Sequence, residues 1–175
     1  MTKHGAELSD GWAIASEADE VHELLCASDA FVAETYGTPL PRRNRESTEG
    51  LVSAEAVHIL RQEGVAAGMF TLTWKPSFTT ETDFFPHTDK PIYMQRLAVL
   101  PDRVTGGELT GLMCVRRAME VALEYGATAI RAETNPDLVN TVRLIKQFGF
   151  EQHGPVLAHG GVRRIYLQND LGIPA

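Results

Sequence analysis

The stretch LAVLPDRVTGGELTGLM, residues 97 to 113, holds the residue types best suited to binding an anion. An apolar strand-like run ends at Pro101, Gly106 and Gly107 follow in a polar loop, and a helical pattern then begins. Such a turn leaves N–H groups of the helix start pointing outward, and with the helix dipole they favour a phosphate or pyrophosphate. Val104, Thr105, Gly106, Gly107, Glu108, Leu109 and Thr110 make up the candidate cradle, in which the glycines let a ligand approach the backbone closely. Glu108 stands where a phosphate would sit. It can stabilise its helix through the dipole, or repel a diphosphate if it faces the pocket. Many strand-glycine-helix turns bind nothing, so a working cradle and a plain turn both stay open.

Proton-transfer candidates lie on either side. Glu133, in RAETN, stands near the end of a strand and is the first choice for a general base, with a solvated strand-end acid as the plainer account. Tyr93 can orient an acceptor or pass a proton through water, or simply pack half-buried. His87, in FFPHTD, is one of six histidines and has a side chain suited to base chemistry near neutral pH. Arg96 can meet a substrate carboxylate or pair with one of the 23 acidic residues.

The elements that must position these groups follow from pattern. GWAIASE reads as a short strand, and EADEVHELLCASDAFVAETYG as an amphipathic helix with Val21, Leu24, Leu25 and Phe31 on its apolar side. TPLPRRNREST reads as loop. AVHILRQ and VAAGMFTLTW form a hairpin about Glu63-Gly64. Residues 75 to 91 are long for a structureless connection, and Phe78, Phe84 and Phe85 argue against plain disorder. IYMQRLAVL is a strand. A helix runs from Gly107 to a stop at Gly126, TAIRAET is a strand, NPDLVNTVRLIKQF a helix with Pro136 in its first turn, and two strands around a glycine bend close the chain. The result is a single α/β domain over residues 1–175 with a mixed sheet.

Composition bounds the partners. With 175 residues, 43% hydrophobic and 22% charged, the chain reads as one soluble domain. A formal charge of −7 argues against a nucleic-acid surface, and the PRRNR cluster at 41 to 45 reads as a solvated loop. The polar N-terminus and the lack of a spanning apolar run point away from a leader or membrane and toward the cytoplasm. Cys26 and Cys114, far apart and in apolar helical contexts, read as buried reduced thiols, with no disulfide or metal site expected.

The segments RLAVLPD, TGG, GATAIRAET and LIKQFGF, in that order over roughly residues 92 to 152, resemble the GNAT superfamily of N-acyltransferases. The resemblance implies a mixed sheet of about six to seven strands flanked by helices, acetyl-CoA or another acyl-CoA as co-substrate, and a small-molecule primary amine as acceptor. It implies that the backbone of Leu97, Ala98 and Val99 runs beside the pantetheine arm, and that Asn135 and Asn140 flank a cofactor-contacting position. The match has departures. Aligned on Pro101, the pyrophosphate signature falls on Val104, Gly107 and Leu109, keeping one position of three; shifted by one residue, it takes Arg103 and Gly106 but ends on Glu108. The tyrosine that protonates the leaving thiolate falls on Ile145, and the central-strand Glu falls near Tyr93. MQRLAVLPD also resembles the branch of acyl-homoserine-lactone-synthase-like and N-acyl-amino-acid-synthase-like proteins, which implies an acyl-carrier-protein donor and lets Phe84 and Phe85 wall an acyl or acceptor pocket. An aminoacyl-tRNA donor and a non-catalytic binding module on the same scaffold are further readings. A homodimer through the late strands is compatible with VRRIYLQ.

Overall fold

The computed structural model describes residues 9–77, 82–107 and 109–172. Glu108 and Phe78 lie outside the described residues. Seven strands, β1 (Gly11–Ile14), β2 (Val57–Gln62), β3 (Val65–Thr73), β4 (Pro91–Val99), β5 (Ala129–Thr134), β6 (Glu151–His159) and β7 (Val162–Asp170), form one sheet in the order β1-β2-β3-β4-β5-β7-β6. The β4–β5 pair is parallel and every other pair is antiparallel. The helices are α1 (Ala18–Tyr36), α2 (Arg45–Ser53), α3 (Pro101–Thr105), α4 (Thr110–Glu124) and α5 (Val139–Gln147).

Local chemistry accounts for most boundaries. Glu63 and Gly64 have φ of 54° and 73°, the left-handed pair that a two-residue hairpin turn requires. The buried side of α1 is Val21, Leu24, Leu25 and Ser28, the spacing of one helical face, and Gly37 ends the helix in a left-handed cap. Two segments read as loop are helical instead. Asn44 accepts the Glu46 N–H at 2.8 Å and starts α2, whose buried side is Thr48 and Val52, four residues apart. Pro101, at the first turn, starts the short α3 inside the expected glycine loop, so α4 begins at Thr110 rather than Gly107. Helix α5 starts later than expected, at Val139, because Asn135 first closes a turn by accepting the Asp137 N–H at 2.9 Å. Cys114 is buried as expected but Cys26 is exposed; both are free thiols.

The sheet divides two cores. On one face α4 and α5 cover Phe70, Leu72, Ile92, Met94, Ile130 and Leu167. On the other, α1 and α2 cover Val57, Ile59, Met69 and Ala98. A Cβ built on Gly68 of β3 would lie 2.7 Å from Cys114 Sγ and 2.9 Å from Thr110 Cγ2. Glycine there lets the first turns of α4 rest directly on the strand.

His58 on β2 stacks on Phe70 with ring centroids 4.9 Å apart, and its Nε2 is buried without a hydrogen-bond partner. Burial, and then the Arg117 cation, lower its pKa to about 4, with Glu124 acting the other way. The unfolded chain therefore takes up a proton that the folded chain refuses. Stability is complete above about pH 6.5 and falls as pH drops toward 4, by at most about 3 kcal/mol. Denaturant melts at pH 7 and pH 4.5 check this: His58→Phe should lose less stability across that interval than the wild type, and equal losses would rule the histidine out as the cause.

Candidate active site

Strands β4 and β5 pair from Pro91↔Ala129 to Met94↔Ala132 and no further, although both continue. The cause lies on β4. Its register against β3 shifts by one residue between Met69 and Thr71, opposite Gln95–Ala98. Within that bulge Arg96 has φ 51°, a conformation that costs a non-glycine residue about 1–3 kcal/mol. The bulge re-aims the far half of β4, leaves its β5-facing edge without a strand partner, and opens a cleft of about 640 Å³.

The cleft passes from one face of the sheet to the other. Its walls include Ser28, Asp29 and Ser47 from the α1 and α2 side, and Leu138, Thr141 and Ile145 from the α5 side. Between them lie Met94 to Leu97 of β4 and Glu133, Thr134 and Asn135 at the end of β5. Ser28, last in the buried α1 stripe, accepts the Val99 N–H at 3.2 Å. One backbone donor of the Leu97–Val99 stretch is thus already engaged; Leu97 lines the cleft, while Ala98 is buried against α1 and α2.

The charge in the cleft runs against that of the chain. Arg43, Lys75, Arg96 and Arg164 line it, with Asp29 and Glu133 as the carboxylates. Arg43 grips Asp29 through two bonds, Nε–Oδ2 at 2.6 Å and Nη2–Oδ1 at 3.0 Å. Arg164 lies 3.2 Å from Glu133 Oε1. Arg96 donates to two hydroxyls, Thr48 Oγ1 at 3.0 Å and Ser47 Oγ at 2.7 Å.

Of the candidate residues, the structure brings Glu133, Arg96, Leu97 and Asn135 to the cleft. Gly106 and Gly107 end α3, Val104 and Leu109 are exposed, and Thr110 is buried at the start of α4, whose N-terminus no side chain caps among the described residues. Thr105 bonds back to the carbonyls of its own helix, and Asn140 is exposed on α5. A Cβ on Gly111 would lie 3.7 Å from Val99 Cγ2 and 3.4 Å from Leu144 Cδ2, so the first turn of α4 sits between the end of β4 and α5.

The other candidates go elsewhere. Tyr93 is buried outside the cleft lining, its hydroxyl 2.9 Å from Arg131 Nη1. His87 is 94% exposed, with Asp89 at 3.8 Å. Phe85 is buried against Arg131 and meets the Tyr166 ring at a right angle, and Phe84 lies over Gly154 and Tyr166. Both rings therefore fasten residues 82–90 to the sheet rather than wall the cleft, because an aromatic on a long connection gains most by covering a nearby apolar surface. Arg43, read as solvated loop, is instead a wall of the cleft. Among the described residues no three His, Cys, Asp or Glu side chains gather as a metal would require, and no helix is long and apolar enough to cross a membrane.

Sequence reasoning passes over Ser28, Asp29, Ser47, Thr48 and Arg164. One signal for the bulge was present: the inward apolar positions of IYMQRLAV step by two from Ile92 to Met94, by three to Leu97, then by two to Val99, which marks an inserted residue.

No protein-family model and no curated protein sequence matches the chain. Solved structures do. A GNAT-family acetyltransferase from Listeria monocytogenes is 19% identical, with a TM-score of 0.69 over 95% of this chain and 100% of that one. The yncA protein from Salmonella typhimurium, solved with its cofactor acetyl-CoA, is 14% identical, with a TM-score of 0.67 over 96% and 97%. A ribosomal-protein-alanine N-acetyltransferase from Brucella melitensis is 16% identical, with a TM-score of 0.64 over 91% and 99%. The fold of this chain is that of the GNAT acetyltransferases.

Proposed function

We propose that the chain is an N-acyltransferase that moves an acetyl or other acyl group from acyl-CoA to a primary amine of a small molecule. The observation that carries this reading is the parting of β4 from β5, which opens a passage through the sheet with a backbone edge that has no strand partner on one wall and an ion-paired carboxylate on the other. The start of α4, packed between the end of β4 and α5 and capped by no side chain among the described residues, suits the anionic end of the donor. A bound acyl-CoA supplies an activated thioester carbonyl, at which a C–N bond forms as the C–S bond breaks.

The residues of the chain then have separable tasks. The edge of β4 beyond its pairing with β5 offers a backbone N–H to a developing oxyanion, that of Val99 being held by Ser28. Glu133 can take the amine proton, directly or through a water. Ile145 provides no proton donor for the departing thiolate, but Thr141, one turn earlier on α5 and also in the cleft wall, places a hydroxyl there. Holding both reactants in one passage is itself worth several kcal/mol.

A second reading, a ligand-binding module without turnover, draws on the ion pairing of both cleft carboxylates to arginine. An acyl-carrier-protein or aminoacyl-tRNA donor remains within the same class of reaction. A thermal-shift titration with acetyl-CoA, followed by a thiol-release assay against a panel of amines, separates these. At 100 times its dissociation constant the ligand adds about 2.7 kcal/mol, a rise of about 5–10 °C for a chain of this size. A rise with turnover supports the proposal, a rise without turnover supports the binding module, and no rise directs attention to the macromolecular donors and sinks acyl-CoA as the donor.

A further inference from the structure

We propose that Arg96 is the docking group for a carboxylate on the acceptor, so that the acceptor is an amino acid or a closely related amino-carboxylate. This deepens the N-acyltransferase reading and rests on it. The cleft holds four cations and two carboxylates in a chain of net charge −7. Asp29 is taken by Arg43 through both oxygens, and Glu133 by Arg164. Arg96 forms no ion pair with an acid among the described residues: its hydrogen-bond partners are the neutral hydroxyls of Ser47 and Thr48.

Burial first, and then the neighbouring Arg43 cation, pull the Arg96 pKa below its ordinary value, with Asp29 acting the other way. A cation drawn part-way out of water beside a like charge is improved by an incoming anion, and the flat guanidinium suits a carboxylate held through two bonds. Ser47 accepts from Arg96, and its own proton is free to turn toward a ligand oxygen.

Position selects the acceptor rather than the donor. Arg96 is fastened to α2, on the face covered by α1 and α2, whereas the open start of α4 belongs to the opposite face. A carboxylate on Arg96 therefore enters from the side away from the donor's phosphates, and its amine reaches toward Glu133 across the cleft. The bulge is what permits this. In an unbroken β4 the residue after Gln95 would face α4 and α5, and the single inserted residue keeps Arg96 on the α2 side.

The test uses the full chain and matched probes: the standard amino acids, each paired with its carboxamide, titrated by thermal shift with and without acetyl-CoA. The expected result is stabilisation by at least one amino acid and not by its carboxamide. Arg96→Gln should weaken that binding about 100-fold while its acetyl-CoA shift stays as in the wild type. Arg96→Lys, which keeps the charge and loses the fork, should fold and retain a reduced preference for the acid. Equal binding of acids and carboxamides would overturn the proposal, as would loss of the acetyl-CoA shift in Arg96→Gln, which would assign Arg96 to the donor. A wild type that prefers acids over carboxamides yet shows no acetyl-CoA shift would leave the carboxylate site standing and remove acyl-CoA as the donor.

Discussion

Arg131→Met should destabilise the chain by about 2–4 kcal/mol and lower its Tm by about 5–15 °C. Replacing a buried charge by an apolar side chain of similar length is often neutral, because it removes a desolvation cost. Here it should not be. The Arg131 guanidinium donates to Gln168 Oε1 at 2.8 Å, to the Tyr93 hydroxyl at 2.9 Å and to the Pro86 carbonyl at 3.0 Å. It also lies 4.4 Å from the centre of the Phe85 ring. Methionine keeps the volume and leaves all three acceptors without this donor, and each such loss costs about 1–3 kcal/mol where water cannot replace it. The effect should be largest in residues 82–90, which meet the sheet through Pro86, Phe84 and Phe85. Chymotrypsin cleavage after Phe84 should therefore accelerate by more than the global loss of stability explains. An unchanged melt and an unchanged cleavage rate would mean that Arg131 only fills space.

The same cluster shows where local reading ends. Three aromatics on a long connection announce that the segment packs, but the surface it packs on is fixed by β5, β6 and β7, which lie up to some eighty residues further along the chain. Features set by adjacent residues were legible: the Glu63-Gly64 hairpin, the α1 stripe, the stop at Gly126, and the strand that carries Glu133 near its end. Helix α2 was not, because two prolines and a run of arginines precede it and its buried side is only Thr48 and Val52. Helix α3 is a five-residue turn, too short for periodicity to report. In the cleft, the β5 wall was visible as a strand end carrying an acid and an asparagine. The opposing wall was not, since Ser28, Arg43 and Ser47 meet β4 only after α1 and α2 fold back over the sheet.

Glu133→Gln should lower kcat about 10²–10⁴-fold once an acceptor is in hand, with the acetyl-CoA thermal shift retained. The substitution preserves shape and can still accept a bond from Arg164, so the positions of β5 and β7 are kept while the proton acceptor is lost. A structural role predicts a different pattern. Glu133 and Arg164 are 23% and 34% exposed, and an ion pair in that setting contributes about 0–1 kcal/mol. If stability were its whole purpose, Glu133→Gln would cost a degree or two of Tm and leave turnover within a few-fold. The pairing with Arg164 is also why the two readings need separating by rate rather than by structure: an arginine beside a carboxylate is what a strand end would use to hold its edge, and equally what an active site would use to hold a base in one orientation. Arg164→Gln completes the comparison. As a positioning residue it should reduce kcat less than Glu133→Gln does, and a double variant should fall no further than Glu133→Gln alone, because orienting a base has no value once the base is gone. Additive losses would mean that the two side chains act separately, with Arg164 serving the substrate instead.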